Sequence, residues 1–269
     1  DFGLLGNPPS HPQLLDWLAC EYRDGGWSLK RILKEIFLSE VYQQDSGATR
    51  ELLEQDPRAV WLTRGARYRL SAEVLRDQAL SISGLLSLKR GGPPVMPPQP
   101  EGLWRSTYNG QKWVDAEGED RYRRALYTYL KRTTPYPSFT TFDGGSGEVC
   151  QIRRIRTNTP LQALASLNDP VNLEAAGALA LRMQAAGPGG AILGLRRALI
   201  RPVLASEAEP LLKLQRDAAR RLESDGQRAS ALLAAARVKA PAGVSEAELG
   251  GWVIAASAIL NLDEFLTRN

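Results

Sequence analysis

Apolar residues along this chain recur mostly at helical spacing, in blocks separated by clusters of glycine and proline. Leu14, Leu15, Trp17 and Leu18 follow Ser10-His11-Pro12, a polar cap with proline in the first turn. They predict a helix that runs to about Tyr22 and stops at Asp24-Gly25-Gly26. Ser28 opens a second helix, with Leu29, Ile32, Leu33, Ile36 and Phe37 on one side and Lys30, Arg31, Lys34 and Glu35 on the other. The short link between the two predicts an antiparallel helical hairpin. The polar stretch 43–60, with Asp56-Pro57, reads mostly as loop. Ser71 then caps a helix with Glu73 in its first turn, where negative charge suits the helix dipole. Val74, Leu75, Ala79, Leu80 and Ile82 form its expected buried side, and Gly84 weakens its end.

Five prolines and two glycines between Leu88 and Glu101 exclude a regular helix there. Asn109-Gly110, within Tyr108–Gln111, suits a short β-hairpin. Glu119 to Arg132 reads as helical, or at least amphipathic, with a dense basic face, followed by a loop rich in glycine and hydroxyls. Thr159-Pro160 starts a helix with Leu161, Leu164 and Leu167 along one face. Pro170 opens another, broken at Gly187-Pro188-Gly189-Gly190, and helices follow over 191–201, 206–223 and 226–238. Ser245 with Glu248 forms a capping-box pattern that leads into the most apolar helix of the chain. The expectation is a mainly α protein, one irregular helical domain over 1–269, with long Pro/Gly-rich loops and at most one small hairpin. Its opening, Asp1-Phe2-Gly3, reads as mid-chain and suggests the C-terminal part of a longer multidomain protein.

Composition narrows the chemistry. Hydrophobic content of 43% and charged content of 24% are ordinary for a globular chain. His11 is the lone histidine, which leaves almost no material for a His-based triad or a multi-His metal site. Cys20 and Cys150 have no zinc or CxxC spacing, and whether they pair stays open. Phosphate-loop, dinucleotide and HExxH motifs are absent, no apolar run reaches membrane-spanning length, and a net charge of +4 gives no reason to expect nucleic acid. Arginine outnumbers lysine twenty-seven to seven. Arginine suits two-pronged pairing with carboxylates, sulfates or phosphates, although a GC-rich genome would also enrich it.

Three clusters offer candidate chemistry, each with a plainer alternative. Glu73, Arg76 and Asp77 share a helical face just after Arg64, Arg67 and Arg69. That is either an acid–base pair beside an anion cluster or a surface ion-pair network. Arg121, Arg123, Arg124, Lys131 and Arg132 interleave with Tyr122, Tyr127 and Tyr129. This suits sugar or nucleic-acid stacking, or an amphipathic element with half-buried tyrosines. Asp143, a glycine-rich loop, Cys150, Arg153, Arg154 and Arg156 precede the helix start at Asn158-Thr159. Arginines at a helix start make an anion site, and they also make a basic loop leading into a well-capped helix.

Long stretches of the chain resemble a known family. "DFGLLGNPPSHPQLLDWLACEY", "RLSAEVLRDQALSISGLL", "YRRALYTYLKRTTPYPSFTTFD" and "CQIRRIRTNTPLQALASLNDP" together resemble a planctomycete domain of unknown function found C-terminal to a cytochrome-c-like region. The resemblance extends over nearly the whole chain. It implies an extracytoplasmic module of a multidomain, cytochrome-linked protein and assigns no activity to any residue. No CxxCH occurs here, so no cofactor is expected in this stretch and any haem belongs to the upstream region. The leading expectation is a ligand-binding or scaffold module for acidic glycans, with Arg76, Lys131, Arg153, Arg154 and Asn158 as the anion-binding set. A hydrolase or lyase acting on acidic polysaccharide is the alternative, with Glu73, Asp77 or Asp143 as acid or base. A third reading is docking of the apolar face of the first hairpin, residues 12–40, onto the upstream region.

Overall fold

A computed structural model describes residues 3–100, 102, 110, 112–145, 147 and 154–268. The chain is mainly α-helical, and Tyr68–Arg69 with Thr267–Arg268 forms the one sheet among the described residues. Tyr108, Asn109 and Gln111, where a hairpin is expected, lie outside the described residues. The chain divides into two compact units, residues 1–68 with 268–269, and residues 69–267.

The smaller unit begins with α1 (Pro12–Asp24) and α2 (Leu29–Leu38). His11, not Ser10, stands at the cap position of α1, and Ser10 instead bonds the His11 ring. Ser28 caps α2 as its sequence implies, accepting from the Arg31 N–H. Arg31 holds the hairpin together by reaching Glu21 on α1 at 3.0 Å and Glu35 on α2 at 3.1 Å. Its apolar stripe is mostly uncovered: Ile32 is buried, while Trp17, Leu29 and Phe37 are exposed. After α3 (Glu40–Gln43), the stretch expected to be loop contains α4 (Arg50–Gln55), started by Thr49 Oγ1 accepting from the Leu52 N–H. One local cap was enough to turn a polar segment helical.

The larger unit holds α5 (Ala72–Ser83), α6 (Pro137–Thr141), α7 (Pro160–Asn168), α8 (Pro170–Ala185), α9 (Gly190–Leu199), α10 (Ala205–Glu223), α11 (Gly226–Ala235), α12 (Glu246–Leu260) and α13 (Asp263–Leu266). Its centre is α12, apolar on every side, packed against α8, α10 and α11. Leu249, Val253, Ala256 and Ile259 of α12 meet Ala175, Leu179 and Met183 of α8 in one core. Gly251 permits the close approach of α10, since a Cβ there would stand 2.5 Å from the Gln215 carbonyl oxygen. No helix among the described residues is long and apolar enough to cross a membrane.

Against this core lies a layer that is not helical as expected. Residues 119–132 form two short 3-10 turns, Gly118–Tyr122 and Ala125–Tyr127, in an otherwise extended path. The cause is pairing with the proline-rich segment. The Ser87 N–H donates to the Tyr122 carbonyl at 2.9 Å, and Val95 exchanges bonds with Tyr127 and Tyr129 at 2.7 Å each. Burial there has a period of two: Arg121, Arg123 and Ala125 point inward, while Arg124 and Leu126 are exposed. Arg123 carries the proline loop, donating to the carbonyls of Lys89, Gly91 and Pro93 with its guanidinium 3.7 Å from the Tyr127 ring centre. Trp113 and Tyr136 stack at 5.8 Å and donate to the carbonyls of Pro97 and Pro98, each at 2.8 Å.

Candidate functional site

Each carboxylate expected to act as acid or base has partners. Glu73 receives Arg154 Nη1 on both oxygens, at 2.8 and 2.9 Å. Burial opposes ionisation of Glu73, but the Arg154 guanidinium outweighs it and holds the carboxyl below the usual range. Asp77 accepts from the Ala125 N–H at 2.6 Å and from Arg124 Nε at 3.0 Å. It ties α5 to the extended layer. Asp143, whose own backbone has a φ of 60°, accepts from the Thr157 N–H at 2.7 Å and from the Thr157 hydroxyl. Glu73 and Arg154 are therefore brought together, and Asp143 is joined to the start of the α7 region.

The Thr157-Asn158-Thr159-Pro160 start is built around Gln162. This side chain is fully buried; its amide nitrogen donates to the Thr141 carbonyl, Asp143 and the Thr157 hydroxyl, and its oxygen accepts from the Thr159 N–H. One glutamine thus locks α6 to α7 and satisfies a free N–H at the helix start. Its turn of α7 faces inward with Ser166, which leaves the shared face of Leu161, Leu164 and Leu167 exposed. Asn158 accepts from Arg69 Nη2, while Arg69 Nε and Nη1 are buried without partners. Burial pushes the Arg69 guanidinium down, partly offset by the charges of Asp263 and Asp143. Lys131 is half-buried, and Cys150 and Arg153 lie outside the described residues.

Arg76 departs most from its expected surface network. It is 6% exposed, donates from Nη2 to the Arg121 carbonyl at 3.0 Å, and leaves Nε buried without a partner. It lines a cavity of about 30 Å³ between α5, α6 and α8, together with Asp169, Tyr136, Ser138 and Asn172. Ala72, Phe139, Phe142 and Leu266 supply apolar wall. Ser138 donates to Asp169 Oδ2, and the N–H groups of Val171 and Asn172 donate to Oδ1 at 2.9 and 3.1 Å. Burial pushes the Asp169 carboxyl up, against the lowering effects of Ser138 and of Arg76. Burial likewise raises the Tyr136 hydroxyl, which stays protonated and donates to Pro98. Arg76 and Asp169 thus face one cavity without forming an ion pair.

Next to it lies a closed pair. Arg121 donates from Nε and Nη2 to Glu174 of α8, and Tyr122 donates to the same carboxylate at 2.9 Å. Both side chains of the pair are almost fully buried. The Glu174 hydrogen bond holds the Arg121 guanidinium firmly charged, while burial pushes the nearby Asp115 carboxyl up.

Sequence reasoning missed Asp169, Tyr136, Ser138 and Asn172 as a set. Asp169 precedes Pro170 and carries the signature of a helix cap, which it is. Nothing local reveals that a cap carboxylate also faces Arg76, nearly a hundred residues earlier. No group of histidine, cysteine and acidic residues suited to a metal is present among the described residues.

No curated protein and no solved structure matches the chain. One family does, over residues 1–215, a span that ends inside α10. The chain belongs to the family PSD1, described as protein of unknown function (DUF1553).

Proposed function

We propose that this chain is a ligand-binding module that works outside the cytoplasm beside a cytochrome-like region, and that it holds acidic glycan without cleaving it. The observation that carries this reading is the engagement of Glu73, Asp77 and Asp143. Arg154, the Ala125 N–H with Arg124, and Thr157 respectively fix each of them as a hydrogen-bond acceptor. A general acid or base needs a proton path to substrate, and these carboxylates spend their lone pairs on the fold. Arginine side chains also stand exposed at the surface, Arg90 and Arg132 among them. Such side chains suit carboxylate and sulfate groups through planar, charge-assisted pairs.

The test is binding to neutral, carboxylated and sulfated glycans at low and moderate salt, with chromatography of the bound sugar afterwards. The expected result is salt-sensitive binding to acidic glycans with no shortened products, kept in Glu73→Gln. Shortened products that vanish in Glu73→Gln, Asp77→Asn or Asp143→Asn would establish the hydrolase or lyase reading instead. Absence of binding to every glycan would reject both.

A further inference from the structure

We propose that the cavity between α5, α6 and α8 binds the acetamido group of an N-acetylated sugar, with Arg76 and Asp169 reading its two polar ends; this rests on the glycan-binding reading. Three observations lead there. The first is charge. The cavity carries one guanidinium and one carboxyl, not paired with each other. An anion entering it gains from Arg76 and loses to Asp169, and a cation meets the reverse, so a formally charged group has no net advantage. A neutral group with one acceptor and one donor uses both. An amide is such a group: its carbonyl accepts from Arg76 and its N–H donates to Asp169.

The second is shape and wall chemistry. About 30 Å³ exceeds the roughly 10–15 Å³ that one water requires, so the space suits a group of a few heavy atoms and not a whole sugar ring. Ala72, Phe139, Phe142 and Leu266 offer apolar surface for a methyl. Ser138 and Asn172 are half-buried, which keeps this side reachable from solvent, whereas Arg76, Ala72 and Tyr136 are buried behind them. A substituent can enter while its ring stays outside.

The third is readiness. Asp169 is already held by Ser138 and two backbone N–H groups, so its orientation is fixed before anything binds. Tyr136 is committed to Pro98 and Ser166 to the Gln162 carbonyl, so neither competes for the guest. Arg76 makes one hydrogen bond among the described residues, through Nη2, and has capacity left. A buried guanidinium short of partners is costly, and a carbonyl guest would relieve that cost.

The experiment is saturation-transfer NMR of the chain with N-acetylglucosamine, glucosamine and glucose, beside the acidic-glycan binding assay on the same samples. The expected result is the strongest transfer at the acetyl methyl, with the other two sugars bound at least about tenfold more weakly, the factor for one lost hydrogen bond to a charged group. Arg76→Lys should weaken N-acetylglucosamine by a similar factor. Ala72→Val, which narrows the cavity without touching a charge, is the second variant should Arg76→Lys fail to fold, and it should also abolish the methyl signal. Equal binding of the three sugars, or a methyl signal unchanged in Ala72→Val, would overturn the cavity assignment. If acidic glycans still bind in that case, the binding-module reading survives alone. If N-acetylglucosamine binds as expected and acidic glycans do not, the cavity stands and the acidic preference falls. If no sugar binds in either assay, both fall.

Discussion

Two parts of the larger unit follow opposite rules. In the bundle of α8 to α12, apolar residues go in and charged residues other than Glu174 stay out, so that Leu179, Leu249 and Ile259 are completely buried. In residues 119–132 and α7, Arg121, Arg123 and Gln162 are buried while Leu126, Leu161 and Leu164 are exposed. The bundle is held by apolar burial, which needs no direction and tolerates exchange of similar shapes. The layer is held by directional bonds from a few long polar side chains to carbonyls of segments that lack regular structure. Proline-rich chain cannot satisfy its own carbonyls through a helix or sheet, so Arg123, Trp113 and Tyr136 do it from outside. The arginines and tyrosines that looked like a ligand surface are in large part this scaffolding.

The largest effect should come from breaking the Arg121–Glu174 pair. Arg121→Met leaves Glu174 charged and buried, and should cost about 3–5 kcal/mol in urea unfolding. Leu249→Ala, in the bundle, should cost a similar amount, about 2–5 kcal/mol, by opening a cavity. Equal losses would show that the polar layer matters as much to the fold as the apolar core. A loss below about 1 kcal/mol for Arg121→Met would place the layer outside the cooperative unit.

A smaller effect is the pH dependence, which should differ in sign between Asp169 and Glu73. The Asp169 carboxyl lies above its unfolded value, so its proton is held more tightly in the folded state, and stability falls as pH rises from the unfolded value through the folded one. The Glu73 carboxyl lies below its unfolded value, so its contribution is present above that value and is lost as pH falls through the folded one. Asp169→Asn keeps an oxygen for the α8 cap and should flatten the first dependence, raising stability at neutral pH relative to acid. Glu73→Gln should flatten the second, by less than about 1 kcal/mol, because both partners are partly exposed. Thermal midpoints between acid and neutral pH read both, and matching slopes in the two variants would contradict the assignments.

Most helices were legible in the sequence because caps and breakers are local. Ser28, Thr159-Pro160, Asp169-Pro170, the Gly187–Gly190 break and Ser245 all mark ends that the structure has. The helical reading of 119–132 fails because its spacing fits a helix and an alternating strand about equally, and its partner, 87–95, carries no strand signal. The leucines of α7 share one face as their spacing implies, but spacing does not say which face turns inward, and Gln162 wins that position through its bonds to Thr141, Asp143, Thr157 and Thr159. Of the site, Arg76 was found for a different reason from the one that holds, since its burial depends on Arg121 and α8. Asp169, which faces the same cavity, is not singled out by the sequence, where only the following Pro170 marks a helix start.

The most direct test of this account is a side-by-side unfolding measurement of Gln162→Leu and Leu164→Ser. Ordinary hydrophobic logic makes the first harmless and the second damaging. The inverted layer predicts the reverse: Gln162→Leu should lose about 1–3 kcal/mol by orphaning the partners of a buried amide, and Leu164→Ser should change stability by no more than about 0.5 kcal/mol. A larger loss in Leu164→Ser than in Gln162→Leu would mean that the leucine face is the buried one, and the account of the layer would be wrong.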